Sequence, residues 1–192
     1  MKLFKFLSAK RKLQAVKDTA PQMIYGYTQR GVFLKDTRIG STTAFVGTEG
    51  LTLENNVFIG QFNFVEATNG ITIEEGCQIT NYCSILTHSS HVAIRLHGPN
   101  YRTTKDPIAY NKGSVHIGKY SFIGPHALIM PTTKIGKGCI VSAYSNVRGE
   151  FPDFSIIGGN PAKIIGDTRK MDEPYLIENP ELREAYEKWT QE

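Results

Sequence analysis

The sequence predicts an all-β solenoid, a parallel β-helix of short strands with a short helical segment at each end. An aliphatic residue recurs at every sixth position from Ile117 to Val147, a small residue follows four positions after most of them, and glycine directly follows three. Neither the period of an α-helix nor the alternation of an ordinary strand maintains this phase. The aliphatic residues are Ile117, Ile123, Ile129, Ile135, Val141 and Val147; the small residues are Ser121, Ala127, Thr133, Cys139 and Ser145; the glycines are Gly118, Gly124 and Gly136.

The same phase recurs in the first half of the chain in blocks of three. These are Ile73, Ile79 and Ile85; Leu53, Ile59 and Val65; and, more weakly, Phe33, Ile39 and Phe45. With the later positions they make five triplets, which predict about five triangular coils whose aliphatic side chains point at the axis. The two spare residues between the early triplets are expected to form corner bulges. A β-sandwich is the alternative, but its period-two pattern would not keep a six-residue phase.

The chain has 192 residues, which suits one elongated repeat domain with short flanks. We predict an N-terminal helical arm over residues 1–26, a solenoid over 27–166 with an inserted loop at 86–114, and a helical extension over 167–192. Helical character is expected at 2–18 and from Pro180 to Gln191. Trp189 recurs there at helical spacing and is predicted to pack rather than to stack on a substrate.

The charge pattern argues against nucleic acid as a partner. The net charge of +4 is mild, and the basic residues concentrate near the N-terminus. That segment is expected to be a packing arm or at most a weak membrane-surface contact. No apolar run reaches the roughly 20 residues that cross a bilayer, and the charges at Lys10 to Lys12 argue against a signal peptide.

Three cysteines, Cys77, Cys83 and Cys139, lie outside any Cys-x-x-Cys spacing. An odd count argues against a disulfide framework and predicts a reducing, cytoplasmic location. All three occupy small inward slots of the repeat, so none is a candidate nucleophile.

The repeat is interrupted between Ile85 and Ile117. Three of the five histidines fall in this excursion, which carries Thr87-His88-Ser89-Ser90-His91 at its near end. A long loop in a tightly wound scaffold is usually functional, because the rigid coils position what the loop carries.

The repeat, this histidine loop and the closing segment from Ile156 to Gly166, which contains Gly159-Asn160-Pro161-Ala162-Lys163, together resemble the hexapeptide-repeat acetyltransferases, in particular the galactoside, maltose and polysaccharide O-acetyltransferase branch. The resemblance covers roughly residues 31–166. It implies a left-handed β-helix, an exception to the usual right-handed crossover. It also implies a homotrimer with an active site in each groove between subunits, and acetyl-coenzyme A as cosubstrate.

The implied activity is direct transfer of an acetyl group to a hydroxyl of a sugar, as in polysaccharide or lipopolysaccharide assembly. N-acetylation of an amino sugar is the nearest alternative. A γ-class carbonic anhydrase, which holds a metal with three histidines, is a more distant rival. His116 and His126 lack the close spacing of such a site, so no metal is predicted. A non-catalytic solenoid is the remaining possibility.

The resemblance places one catalytic histidine at the near end of the loop, where we predict His91 as general base, with His88 as the second candidate. Imidazole suits this role because its pKa lies near working pH. Glu66 follows the coil residue Val65, and it is expected either to orient the histidine or to be a solvated corner carboxylate.

The remaining candidates are ligand contacts. Asn63 is expected to bond a sugar hydroxyl or to stack as an amide inside the solenoid. Arg102 is expected to bind an acidic sugar or to tie the loop down. Phe122 would shape the acceptor pocket or pack between subunits. For the coenzyme, the resemblance suggests contacts from the backbone of the corner and from the closing segment, where Lys163 would meet phosphate or be a surface lysine. These coenzyme positions are Ser142, Ala143, Asn160, Pro161 and Lys163.

Overall fold

The computed structural model describes residues 9–191 and confirms the predicted solenoid. Short parallel strands stack into three ladders, which form the faces A, B and C of a triangular prism. Face A contains Val32–Gly40, Phe58–Ile59, Gln78–Ile79, Phe122–Ile123, Ile140–Val141 and Ser155–Gly159. Face B contains Ala44–Val46, Phe64–Glu66, Ser84–Leu86, Leu128–Ile129 and Asn146–Val147. Face C contains Leu51–Leu53, Ile71–Ile73, Val115–Ile117, Lys134–Ile135 and Glu150–Phe151.

The axis is filled by the aliphatic series that the sequence phase identifies. Ile59, Ile79 and Ile123 pair in register along face A, and each is fully buried. The small residues fit beside them, so that Cys77, Cys83 and Cys139 are buried free thiols. Burial in apolar surroundings is the main stabilising term in such a scaffold.

Phe33 departs from the prediction. Its side chain is 63% exposed, because this part of Val32–Gly40 pairs antiparallel with Met23–Gln29 before the first coil begins. The inward series therefore starts at Ile39. The strand Met23–Gln29 also begins inside the predicted helical arm.

Helices flank the coils at both ends. The first is Ala9–Thr19, and the C-terminal ones are Thr168–Glu178 and Arg183–Gln191, with a 3-10 turn at Pro180–Leu182. A hairpin of Ser155–Gly159 and Ala162–Asp167 precedes the C-terminal helices. Trp189 packs on the rings of Tyr120 and Phe154 at 4.9 and 5.8 Å, which confirms its packing role.

Part of the predicted N-terminal helix and its basic residues Lys2 and Lys5 lie outside the described residues. Within residues 9–191, no helix has both the length and the apolar character needed to cross a bilayer.

The extra residues of the coils concentrate at the corner between faces B and C, here called the B/C corner. A 3-10 turn, Thr48–Gly50, lies at this corner in the first coil, and the loop leaves the third coil at the same corner. In that loop, His88–Ser89 pairs antiparallel with Asn111–Lys112, and the chain between these strands forms a short helix at Ala93–His97 and a 3-10 turn at Gly98–Thr103. The loop base is therefore a small sheet fixed to the rigid coils.

Candidate active site

Glu66 is held at the B/C corner by the register of the coils. It ends the face B strand Phe64–Glu66 and pairs with Leu86, the last strand residue before the loop. Stacked coils lie about 4.8 Å apart, so Glu66 stands next to the first residues of the loop. Its side chain is 4% exposed.

The carboxylate of Glu66 is saturated with hydrogen bonds. Oε1 accepts from the backbone N–H of Thr68 at 3.0 Å. Oε2 accepts from the backbone N–H and the hydroxyl of Thr87, at 3.1 and 2.7 Å, and lies 2.8 Å from Nδ1 of His88. A buried carboxylate with this many partners is a fixed anion rather than a solvated corner residue.

These bonds set the protonation state of Glu66. Burial alone would raise its pKa, but the hydrogen bonds from Thr68 and Thr87 stabilise the anion and lower the pKa from 4.5 to about 2. At neutral pH the carboxylate can therefore only accept hydrogen bonds.

The anion in turn fixes the tautomer of His88. Because Glu66 only accepts, Nδ1 of His88 must donate its proton to Oε2, and the neutral ring keeps a lone pair on Nε2. The structure records no hydrogen-bond partner for Nε2 within residues 9–191. The ring stacks on Tyr110, with centroids 5.7 Å apart, and its side chain is 37% exposed. The His88 imidazole is therefore held in one orientation, with Nε2 open.

His88 opens onto a cleft of about 590 Å³ between the loop and the B/C corner. Such a volume suits a small molecule or one or two sugar units. All but one of its lining residues have polar side chains; they are Thr68, Asn69, His88, Tyr101, Arg102, Thr104, Lys105, Asp106, Pro107, Tyr110 and Lys112.

His91, the histidine preferred from sequence, is not part of this arrangement. Its Nδ1 lies 2.8 Å from the hydroxyl of Ser89, its carbonyl accepts from Arg95, and its side chain is exposed outside the cleft lining. Of the predicted catalytic residues, the structure brings together Glu66 and His88.

The side chain of Asn63 makes its hydrogen bonds within the solenoid. Its amide nitrogen donates to the carbonyl of Thr80 at 2.8 Å, and its oxygen accepts from the N–H of Cys83 at 2.7 Å. The residue is 3% exposed, which leaves nothing for a sugar hydroxyl. The internal amide role is the one that the structure supports.

Of the two other predicted acceptor contacts, Arg102 lies at the cleft and Phe122 does not. Phe122 is 38% exposed on face A, and one chain alone does not bring it to the cleft. Arg102 lines the cleft, is exposed and makes no recorded hydrogen bond or ion pair within residues 9–191.

The predicted coenzyme residues cluster elsewhere, at the corner between faces A and B. Ser142 donates its backbone N–H to Ile157 at 2.8 Å, whereas the N–H of exposed Ala143 has no recorded partner in the described chain. Lys163 lies on the second strand of the hairpin, where its backbone pairs with that of Gly158. The side-chain oxygen of Asn160 accepts a hydrogen bond from the side-chain nitrogen of Asn146 at 3.1 Å. Of the two corner amides, that of Ala143 is the one free to donate to a ligand.

The other reactive side chains have local partners. His126 stacks between Tyr82 and Tyr144, and His116 lies 3.2 Å from Glu74 on face C. Within residues 9–191, no group of three His, Cys, Asp or Glu side chains is arranged to hold a metal.

The thiols are equally unsuited to nucleophilic attack. Burial raises the pKa of Cys77 to about 12 and that of Cys139 to about 11, so both remain protonated at neutral pH.

The sequence profile of the bacterial transferase hexapeptide (six repeats) matches residues 114–149, which is the most regular part of the solenoid. The resemblance to the hexapeptide-repeat acetyltransferases is confirmed. The left-handed β-helix of this family is the fold of the chain.

Two relatives are named as acetyltransferases. A probable acetyltransferase of Mycobacterium tuberculosis is 28% identical over 77% of this chain and 47% of its own length. The putative lipopolysaccharide biosynthesis O-acetyl transferase WbbJ of Escherichia coli is 29% identical over 58% of this chain and 57% of its own. The chain thus spans about half the length of these relatives.

Among solved structures, AntD, an N-acyltransferase of Bacillus cereus in complex with dTDP and 3-hydroxybutyryl-CoA, has a TM-score of 0.57. It is 21% identical, and the match covers 79% of this chain and 89% of that one. The polySia-specific acetyltransferase NeuO has a TM-score of 0.51 at 23% identity, covering 61% of this chain and 51% of its own. At this identity the likeness concerns the fold.

Most residues around the Glu66–His88 pair were not identified from the sequence as site residues, and four of them illustrate this. Thr68 and Thr87 hydrogen-bond the carboxylate, and Tyr110 and Lys112 line the cleft. One signal was present: coils repeat here every twenty residues, so Glu66 aligns with Leu86 and hence with the Thr87-His88 pair that follows.

Replacing Glu66 by Gln is expected to reduce the loss of folding free energy that the protein shows as the pH is lowered. The lowered pKa means that ionised Glu66 stabilises the fold above pH 4.5 and loses that contribution as the pH falls towards 2. The shift corresponds to about 3 kcal/mol. Urea unfolding at fixed protein concentration between pH 7 and pH 2.5 measures it. Parallel pH profiles for wild type and variant would contradict the lowered pKa.

Proposed function

We propose that the chain is an acetyl-CoA-dependent O-acetyltransferase that transfers acetyl to a sugar hydroxyl, with His88 as the general base and Glu66 as its positioning residue. The observation that carries the proposal is the Glu66–His88 pair, in which a fixed anion holds Nδ1 and leaves Nε2 open to a polar cleft. The names of the relatives support the reaction class.

The chemistry follows from the open nitrogen. Nε2 of His88 takes the proton of the acceptor hydroxyl while that oxygen bonds to the thioester carbonyl carbon. The carbon–sulfur bond then breaks, the imidazolium returns the proton to the departing thiolate, and the products are the acetyl ester and coenzyme A. Glu66 stabilises the intermediate imidazolium without itself being protonated, as its low pKa requires.

The separation of the two clusters favours an assembly in which a second copy completes the site. The His88 pair lies at the B/C corner, whereas Ala143 and Lys163 lie at the corner between faces A and B. We propose a homotrimer in which the coenzyme corner of one subunit faces the cleft of its neighbour. The acyl-CoA bound to AntD supports coenzyme A as the donor.

An amine acceptor is the second candidate, since AntD is an N-acyltransferase whereas WbbJ is named an O-acetyl transferase. An amine with its pKa near or below the working pH needs less help from a base than a hydroxyl does. The well-oriented His88 therefore favours oxygen.

Paired acceptors distinguish transfer to a hydroxyl from transfer to an amine. The enzyme is supplied with acetyl-CoA and with either a neutral or acidic hexose derivative or its 2-amino counterpart, and the products are located by tandem mass spectrometry. We expect acetyl on oxygen in both. Acetyl exclusively on nitrogen would replace the proposal by the amine alternative, and release of coenzyme A with no acetylated sugar would reject a sugar acceptor.

A further inference from the structure

The cleft beside His88 carries more positive charge than the proposed chemistry needs. Arg102, Lys105 and Lys112 line it, and all three side chains are exposed. Within the described part of the chain, none of them has a recorded ion pair or side-chain hydrogen bond. The opposing carboxylate on the lining is Asp106, while Glu66 lies buried and is engaged by Thr68, Thr87 and His88. An excess of unpartnered cations faces the space where an acceptor would lie.

Lys112 is placed there by the loop base. Its backbone pairs with that of His88 in the small antiparallel sheet, so the ammonium group is carried on the strand next to the catalytic histidine. This sheet is secured by a further bond from the N–H of Gly113 to the carbonyl of Thr87 at 3.0 Å. The position of Lys112 is therefore as fixed in its backbone as that of His88.

Arg102 is not needed to hold the loop. The 3-10 turn that contains it is closed by backbone and hydroxyl bonds, including those of Thr104 to the carbonyl of Asn100. The guanidinium itself contributes no recorded bond to the loop. Its fork of donors remains available for a planar carboxylate or a phosphate, the anions that arginine binds in bidentate fashion.

We propose that the acceptor is an anionic sugar, whose carboxylate or phosphate is held by Arg102, Lys105 and Lys112 while a neighbouring hydroxyl meets His88. This inference rests on the proposed function and specifies its substrate class. Charge-assisted hydrogen bonds are stronger than neutral ones, and a basic cleft also raises the local concentration of an anionic substrate. A neutral glycan would gain from neither.

The test compares pairs of acceptors that share their free hydroxyls but differ in charge. Glucuronic acid and its uncharged amide, glucuronamide, present the same ring hydroxyls with and without a carboxylate. Glucose 1-phosphate against methyl glucoside gives the phosphate arm. We expect the wild-type enzyme to show a kcat/KM at least about tenfold higher for the charged member of one pair, and the preferred pair identifies the anion. Raising the salt concentration should reduce that preference.

Variants connect the preference to the three cations. The triple variant R102Q, K105Q and K112Q should lose about thirtyfold in kcat/KM for the charged acceptor and less than about threefold for its neutral partner, mainly through the KM of the sugar. Lys170→Gln, which removes one exposed positive charge from the helix Thr168–Glu178, is the matched control and should change neither.

Several outcomes would overturn the inference. If the triple variant lost equal activity with charged and neutral acceptors, the three cations would be stabilising the loop rather than binding the sugar. If only its KM for acetyl-CoA rose, the cations would be binding the coenzyme phosphates. Saturation-transfer NMR of the same sugar pairs measures binding without turnover. If no sugar is acetylated, the proposed function fails, whereas the anion preference is still decided by the NMR comparison.

Discussion

Replacement of His88 by Ala is expected to lower kcat for acetyl transfer at least about a hundredfold, whereas His91→Ala should stay within about threefold of wild type. The difference follows from their partners. Nδ1 of His88 lies 2.8 Å from the carboxylate of Glu66, but Nδ1 of His91 lies 2.8 Å from the hydroxyl of Ser89. A serine hydroxyl neither fixes a single tautomer nor stabilises an imidazolium as an anion does.

Steady-state assays with acetyl-CoA and a saturating acceptor make the measurement, with circular dichroism to confirm that each variant is folded. His91→Ala is the matched control, since both histidines lie in the same loop three positions apart. A large loss in His91→Ala together with near-normal turnover in His88→Ala would reverse the assignment. Added imidazole should restore part of the activity of His88→Ala if the missing group is a base.

The Glu66→Gln variant tests whether Glu66 acts by positioning His88. The variant keeps the shape of the side chain, but its amide no longer supplies a fixed anion to His88, so the basic ring loses its partner. A reduced kcat with a lowered kinetic pKa of the base would mark a positioning role. Glu66 itself ionises near pH 2, so protonation of this carboxylate does not account for a loss of activity near neutral pH.

The fold was predictable because it depends on a period. One inward aliphatic residue per strand repeats along the chain, so the sequence alone places Ile79 and Ile123 at the axis. Phe33 was misplaced because period alone does not report where coils begin. Pairing with Met23–Gln29, an antiparallel partner outside the repeat, keeps it exposed.

The site was predictable as far as its candidates, which were Glu66 and the two histidines of the loop. Choosing between two histidines required knowing which one faces Glu66, and this depends on the register between neighbouring coils rather than on local spacing. Asn63 illustrates the same limit. A polar residue in an inward slot has one appearance in sequence, whether it bonds a ligand or, as here, the carbonyl of Thr80.

Ile123→Ala is expected to destabilise the fold by about 3 to 4 kcal/mol, whereas Ile108→Ala should cost less than about 0.5 kcal/mol. Both changes remove the same atoms. Ile123 is fully buried at the axis, while Ile108 is 74% exposed in the loop. Each buried methylene contributes about 0.8 kcal/mol, and an unfilled cavity adds to the loss.

The size of this effect follows from the position of Ile123 in the stack. It pairs with Ile79 on one side and Val141 on the other, so its loss weakens two coil-to-coil contacts at the centre of face A. Coils in a solenoid contact only their neighbours, which means that no distant part of the chain can compensate. Thermal and urea unfolding at one protein concentration compare the two variants. A cost below about 1 kcal/mol for Ile123→Ala would show that the axis is not the main source of stability, and would shift that role to contacts between subunits.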